Sequence, residues 1–224
     1  QAFDLCLAAS AKFGWYNRNT GHNPFTREGK KTCAFELFEQ LGGKIPDTVI
    51  VSVGDGNILS GVFKGFRELK AMGWTDHLPR LIAVQAGSSD SILRAVQGDG
   101  KIRQVGGETI ADSISVSLPR DGEAAVRAIQ DSKGFAIRVT DEEILEAMRT
   151  CARKEGVFAE PAAAASIAGL KKAVGEGKIQ AKERVVALIT GNGLKDVASA
   201  MKAVGEPVVI DPDLREVERL FPSL

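Results

Sequence analysis

With 224 residues the chain can bury a substantial core, as one large domain or a domain with a small appendage. Its 29 basic and 29 acidic residues cancel, which gives no reason to expect nucleic acid or an acidic membrane surface as partner. No apolar run approaches the length of a membrane span and no secretory signal opens the chain, so a cytoplasmic protein is expected. Cys6, Cys33 and Cys151 are far apart and lack metal-ligand spacing, and they read as buried reduced thiols rather than metal ligands. The chain opens at Gln1 inside a helical pattern, as a fragment or a processed product would.

In chain order, Ala2 to Phe13 carries an apolar face at helical spacing and stops at Gly14. Trp15 to Thr20 reads as a short strand running into polar loop, and Gly21 to Phe25 as a turn around Pro24. A second helix is expected from about Gly29 to Leu41, with Ala34, Phe35, Leu37, Phe38 and Leu41 inward and Gly42-Gly43 ending it. Thr48 to Val53 is a β-branched run between Pro46 and Gly54, the signature of a buried strand. Leu59, Val62, Phe63, Phe66 and Leu69 then recur at helical spacing. Leu81 to Ala86 is the next strand, and Ser88 to Val96 a short helix. Ala111 to Pro119 takes no firm assignment. Helices are expected at 122–132, 141–154 and 161–174, with strands at 136–139 and 184–190. Thr140 with Glu143 forms a capping box, and Pro161 suits a first helical position. A last helix is expected from Leu194. This alternation predicts an α/β fold with an open, largely parallel twisted sheet flanked by helices.

Between the strand ending at Val53 and its helix lies Gly54-Asp55-Gly56-Asn57-Ile58. A glycine turn opening onto a helix N-terminus is an anion site, because the first N–H groups lack intrahelical partners and the dipole is positive there. Gly54 and Gly56 allow close backbone approach, so a phosphate is the expected ligand. The third glycine falls at Gly61, and Leu59 stands where a dinucleotide fingerprint needs one. No Gly-Lys-Ser/Thr ending supports a P-loop either. A second glycine corner, Gly191-Asn192-Gly193, follows the last strand, with Thr190 as a neutral donor-acceptor beside it.

These motifs carry a resemblance. Gly54 to Gly61, Phe158-Ala159-Glu160-Pro161-Ala162 and Thr190-Gly191-Asn192-Gly193-Leu194-Lys195-Asp196 resemble threonine synthase, as do Asn23-Pro24 and Glu28-Gly29-Lys30-Lys31-Thr32. That is a family of pyridoxal-phosphate enzymes in the tryptophan-synthase-β, or fold type II, superfamily. The likeness runs in order from about Trp15 to Val204. It implies pyridoxal 5'-phosphate as cofactor, with its phosphate on Gly54, Asp55, Gly56, Asn57 and Ile58 and its pyridine nitrogen facing Thr190. It also implies conversion of O-phosphohomoserine and water to threonine and phosphate, and substrate binding by Asn23. The family's arginine after the proline is matched only loosely, by Thr26 and then Arg27, so Arg27 is a weaker substrate-binding candidate.

One family element has no match. The lysine that forms the Schiff base lies in a Ser-Phe-Lys-Asp-Arg-like segment, and none occurs in these 224 residues, so no catalytic lysine is assigned. Lys30, Lys31 and Lys195 read as solvated or helix-start lysines, with Lys195 the remote alternative as Schiff-base residue. His22 and His77 read as turn histidines, and Glu160 as either a helix-start carboxylate or a cleft residue. Residues 1–22 are expected to be the remnant of a smaller domain and 23–224 the large cofactor domain. The chain alone is expected to be inactive, and to form a homodimer or be complemented by a missing N-terminal segment. The alternatives are a threonine or serine dehydratase, a cysteate synthase-like relative, or a catalytically incompetent cofactor-binding fragment.

Overall fold

The computed structural model describes residues 2–221. Four strands form one parallel sheet: β1 (Thr48–Ser52), β2 (Arg80–Ala86), β3 (Phe135–Val139) and β4 (Val185–Ala187). Their order is β3-β2-β1-β4. From β1 the chain steps to β2 and β3, then crosses back to lay β4 on the other side of β1. The loops leaving the carboxyl ends of β1 and β4 therefore part, and a crevice opens between them, where ligands of open α/β sheets bind.

Helices α1 (Ala2–Phe13), α2 (Phe25–Lys30) and α3 (Thr32–Gln40) precede the sheet. Helix α4 (Asn57–Ala71) joins β1 to β2, and α5 (Ser91–Gln97) with α6 (Gly122–Asp131) joins β2 to β3. Helices α7 (Asp141–Glu155) and α8 (Pro161–Gly175) make the long return to β4, after which α9 (Val197–Val204) and α10 (Leu214–Leu220) follow. The strands are apolar on both faces because both faces are covered. Val49, Val51, Leu81 and Ala83 pack under α4 and α6, while Ile50, Ile82, Val84 and Ile137 pack under α7 and α8. The alanines Ala162 to Ala165 on α8 are all buried in the core on this side of the sheet. Gly169 of the same helix faces Val84, where a Cβ would collide with the valine side chain.

Several elements differ from the sequence reading. Trp15 to Thr20 is loop and not strand. It pairs with no strand among the described residues, and its polar side chains take the local backbone instead: Asn17 Oδ1 accepts from the Asn19 N–H at 2.7 Å. The helix expected from Gly29 is two, broken at Lys31, and it starts earlier because Asn23 Oδ1 accepts the Phe25 N–H at 2.9 Å. Helix α5 begins at Ser91, since Ser89 is drawn aside to the carbonyls of Ile114 and Val116. Strand β4 is shorter than expected, and its continuation is diverted where Leu188 O accepts the Ser166 hydroxyl. Phe63 and Phe66 are core, but Phe35 and Phe38 are only half-buried. Of the thiols only Cys151 is buried; Cys33 is half-buried and Cys6 exposed. The capping box at Thr140 and Pro161 in the first turn of α8 are as expected.

A four-charge cluster fastens α2 and α3 to α4. Lys31 Nζ lies 2.7 Å from Glu28 and 2.8 Å from Glu68, and Lys64 pairs with both carboxylates. Lys31 first and Lys64 second pull the Glu28 carboxyl down to about 2, from an ordinary value of 4.5. Its contribution is therefore fully present above the unfolded carboxyl value and is lost as pH falls toward about 2. Urea stability of Glu28→Gln should accordingly fall less steeply with acid below pH ~4.5 than that of the parent; parallel curves would refute the coupling. Thr140→Ala removes the side-chain half of the capping box, the acceptor of the Glu143 N–H, and should cost about 1 kcal/mol in the same titration at neutral pH.

Candidate functional site

The crevice between β1 and β4 is a cavity of about 280 Å³. Gly54 to Leu59, Thr190, Lys195, Glu160, Lys30, Ser52 and Ser113 are among the residues lining it. Ahead of α4 the backbone N–H groups from Gly54 through Leu59 meet no acceptor among the described residues; the first bond is Ser60 N–H to Gly56 O at 3.0 Å. A run of free donors at the positive end of a 15-residue helix is suited to a phosphate. Two buried atoms at this point are also unpartnered, Ser52 Oγ and Asn57 Oδ1. The Asn57 amide orientation follows from chemistry: Asp121 can only accept here, so the nitrogen faces it and the oxygen faces away.

The glycines of the loop are required mainly from behind. A Cβ on Gly54 would lie 2.9 Å from Ile114 Cα, and one on Gly56 2.7 Å from Ala125 Cβ; Gly56 also has φ +92°. The residue that sets the loop is Asp121, just before α6. Its carboxylate is nearly buried and accepts from Ser60 Oγ at 2.7 Å, Asn57 Nδ2 at 3.1 Å and the Arg27 guanidinium. Its N–H donates to Asp55 O at 3.0 Å, while the Arg120 N–H donates to the Asp55 carboxylate at 2.9 Å. Rear-facing polar groups are thus satisfied, and front-facing ones are left for a ligand.

At the second corner Glu160 N–H donates to Gly191 O at 3.0 Å, and Gly193 N–H to Phe158 O at 2.9 Å. Side chains on Gly191 and Gly193 would run into the Glu160 carboxylate and the Phe158 ring. Glu160 is buried and paired with Lys195 at 2.9 Å. The Thr190 hydroxyl has no protein partner among the described residues and lines the same cleft. Burial pushes the Lys30 ammonium below the usual lysine value, with the charges of Asp121 and Asp55 acting the other way.

The structure thus brings Gly54, Asp55, Gly56, Asn57, Ile58 and Thr190 into one cleft. It places Asn23 and Arg27 elsewhere. The Asn23 amide is taken up in its own turn by Asn17 O and the Phe25 N–H, and Arg27 faces the outer groove between α4 and α6. His22 lies in the groove with Asn23, and His77 is exposed beside Asp76. Lys30 is half-buried in the cleft rather than solvated. Asp121 and Ser52 were not singled out from the sequence. An aspartate just ahead of a helix was a cue to the first, while nothing local marks the second.

The comparisons agree with this geometry. A family model described as pyridoxal-phosphate dependent enzyme matches residues 1–191. The chain belongs to that family. It is 45% identical over 204 residues to a protein named threonine synthase from Methanocaldococcus jannaschii, covering 90% of this chain and 50% of that one. It is 40% identical to a threonine synthase from Mycobacterium bovis, covering 97% of this chain and 60% of the relative. The chain therefore spans about half to three fifths of the length of these relatives. Among solved structures, the processed threonine deaminase isoform 2 of Solanum lycopersicum superposes with a TM-score of 0.73 at 22% identity, covering 88% of this chain and 54% of that one. That likeness concerns the fold, which is the type II architecture expected from the motifs. The cleft fits the family's cofactor: it offers free N–H donors to a phosphate, the unpartnered hydroxyl of Ser52 beside them, and an uncharged hydroxyl at Thr190.

Asp121→Asn should cost on the order of 2 kcal/mol in urea unfolding, because a nearly buried carboxylate loses its charge while Arg27 remains; the partly exposed arginine keeps the loss at the low end. An unchanged midpoint would show that the loop does not depend on this carboxylate.

Proposed function

We propose that the β1–β4 cleft holds pyridoxal phosphate, its phosphate on the N–H groups of Gly54, Asp55, Gly56, Asn57 and Ile58 and its ring nitrogen toward Thr190. When bound, the cofactor supplies an electron sink for carbanion chemistry. The N–H groups and the α4 dipole hold a dianion without needing a proton themselves. Thr190, being neutral, leaves a pyridine nitrogen largely unprotonated, whereas a carboxylate there would keep a proton on it. Glu160 and Lys195 neutralise one another on the same side of the cleft as Thr190.

The activity we infer is that of threonine synthase, turning O-phosphohomoserine and water into threonine and phosphate. The observation that carries it is the 45% identity along 90% of the chain to a protein so named. We further propose that residues 1–22 belong to a smaller domain. In support, none of the described residues of α1 is buried. Leu5, Phe13, Trp15, Tyr16 and Phe25 are exposed around it, which supports association as a homodimer or with a complementing segment in the cytoplasm. Asn23 and Arg27 are given no substrate contact, for both are already engaged within the protein.

The test is a pyridoxal phosphate titration of the full chain, with assays for phosphate release from O-phosphohomoserine and for 2-oxo acid formation from threonine and serine. Saturable cofactor binding is expected, weakened at least ~10-fold by Gly56→Val, whose side chain needs a disfavoured φ and meets Ala125. Phosphate release supports the synthase; oxo acid formation instead would replace it with a dehydratase. Cofactor binding with neither product would make this chain a cofactor-holding part without turnover.

A further inference from the structure

We infer that Lys30 is a phosphate-monoester-binding residue of the β1–β4 cleft, completing on the α2 side the donor set that α4 presents. This rests on the reading of the cleft as the cofactor and substrate site.

Two lysines line the cleft, and they differ in their company. Lys195 is neutralised by Glu160 at 2.9 Å. Lys30 makes no ion pair among the described residues, and its hydrogen-bond acceptor is the Thr26 carbonyl, at 3.3 Å. An ammonium carries three N–H donors, so two remain for a ligand. The position is built and not incidental. Gly61 and Gly65, one turn apart on α4, are where the α2–α3 segment lies against that helix. A Cβ on Gly61 would sit 2.7 Å from Lys30 Cβ and 2.8 Å from Arg27 O, and one on Gly65 2.7 Å from Ala34 Cβ. The stem of Lys30 is thereby held beside the second turn of α4, and the residue lines the same cavity as the Gly54–Leu59 loop.

The surroundings specify the ligand's sign. The Gly54–Leu59 N–H groups, the positive end of α4 and the Lys30 ammonium all favour an anion. The protein bears the desolvation of this ammonium without giving it a carboxylate partner. The neighbouring Asp121 carboxylate is taken by Arg27, Asn57 and Ser60, and Asp55 is turned back onto the Arg120 N–H. Ser52, whose buried hydroxyl has no protein partner, lines the same cavity and adds a neutral donor. Arg27, the arginine suggested by the sequence for a phosphate contact, is turned away to Asp121 from the same helix. Lys30 is the cation of that helix that reaches the cleft.

Two phosphate monoesters belong to the proposed chemistry, the cofactor's and the substrate's, and the experiment separates them. The full chain and its Lys30→Met, Lys30→Gln and Lys30→Arg variants are titrated with pyridoxal phosphate against pyridoxal. The cofactor-loaded proteins are then titrated with O-phosphohomoserine against homoserine by calorimetry. Loss of a charge-assisted hydrogen bond should weaken the phosphorylated ligand by about tenfold or more. The phosphate-free ligand should be unaffected in Lys30→Met and Lys30→Gln, and Lys30→Arg should recover most of the loss. A loss confined to pyridoxal phosphate identifies the cofactor phosphate, and one confined to O-phosphohomoserine the substrate phosphate. Gly61→Ala, which displaces Lys30 without touching its charge, should give part of the same loss. Parent-like binding by the Met and Gln variants would overturn the inference alone, as would an equal loss for the phosphate-free ligands. A parent chain that binds neither phosphorylated ligand would overturn the reading of the cleft as well.

Discussion

A single carboxylate, that of Asp121, holds the site together, and its cost explains why so many groups converge on it. A buried negative charge must be matched by donors, and Asp121 draws them from three elements: Arg27 of α2, and Asn57 and Ser60 of the first turn of α4, with its own position set at the start of α6. The negative charge also sits by a helix N-terminus, where the dipole favours it. Satisfying Asp121 thus fixes the relative placement of the elements that form one wall of the cleft. Because the side chains at the start of α4 are spent on the rear, the backbone N–H groups at the front remain free. The division between satisfied rear and unsatisfied front is what makes the loop a candidate binding site and not only a turn.

The same economy governs the small residues. Glycine in a phosphate loop suggests space for the ligand, yet the space at Gly54 and Gly56 is taken by Ile114 and Ala125. At Gly61 and Gly65 it is taken by the α2–α3 segment, and at Gly191 and Gly193 by Glu160 and Phe158. Each glycine lets one element of the wall approach another closely, and at two of them a residue of the second element lines the cleft. Gly61 admits Lys30 and Gly191 admits Glu160. Ligand specificity is therefore encoded one packing step behind the residues that would touch the ligand.

Local periodicity made most of the architecture legible. The strand at Thr48, the amphipathic α4, the capping box at Thr140 and the proline of α8 each declare themselves within a few residues, and the structure has them all. What was not legible depends on pairing across long separations. Nothing near Trp15–Thr20 says that no strand will be available to pair with it, and nothing near Thr190 says how soon β4 will part from β1. Likewise the cofactor motifs were readable as a set, since backbone donors at a helix start need only glycines and register. Asp121 was not, because a carboxylate 61 residues from Ser60 becomes a hub only after folding. Lys30 reads in the sequence as a solvated lysine, because lysines generally stay in water. The glycine opposite it, which could have argued otherwise, reads in one dimension as a failed dinucleotide motif.

The charge layout of the cleft also fixes which way a ligand lies. On the β1 side the α4 dipole, its free N–H groups and Lys30 share one sign, while the Asp55 carboxylate is turned onto the Arg120 N–H. On the β4 side Lys195 and Glu160 cancel, and the remaining polar group there is the neutral hydroxyl of Thr190. The proposed cofactor, with an anionic end and an uncharged ring edge, would on this reading be held in one sense, since inversion would strand its phosphate beside a neutralised pair. Within a low-dielectric cleft such a difference is felt strongly, because neither end is well screened by water. Orientation here comes from an asymmetry of charge between two strand ends, and it exists because β4 returns to the far side of β1 instead of following β3.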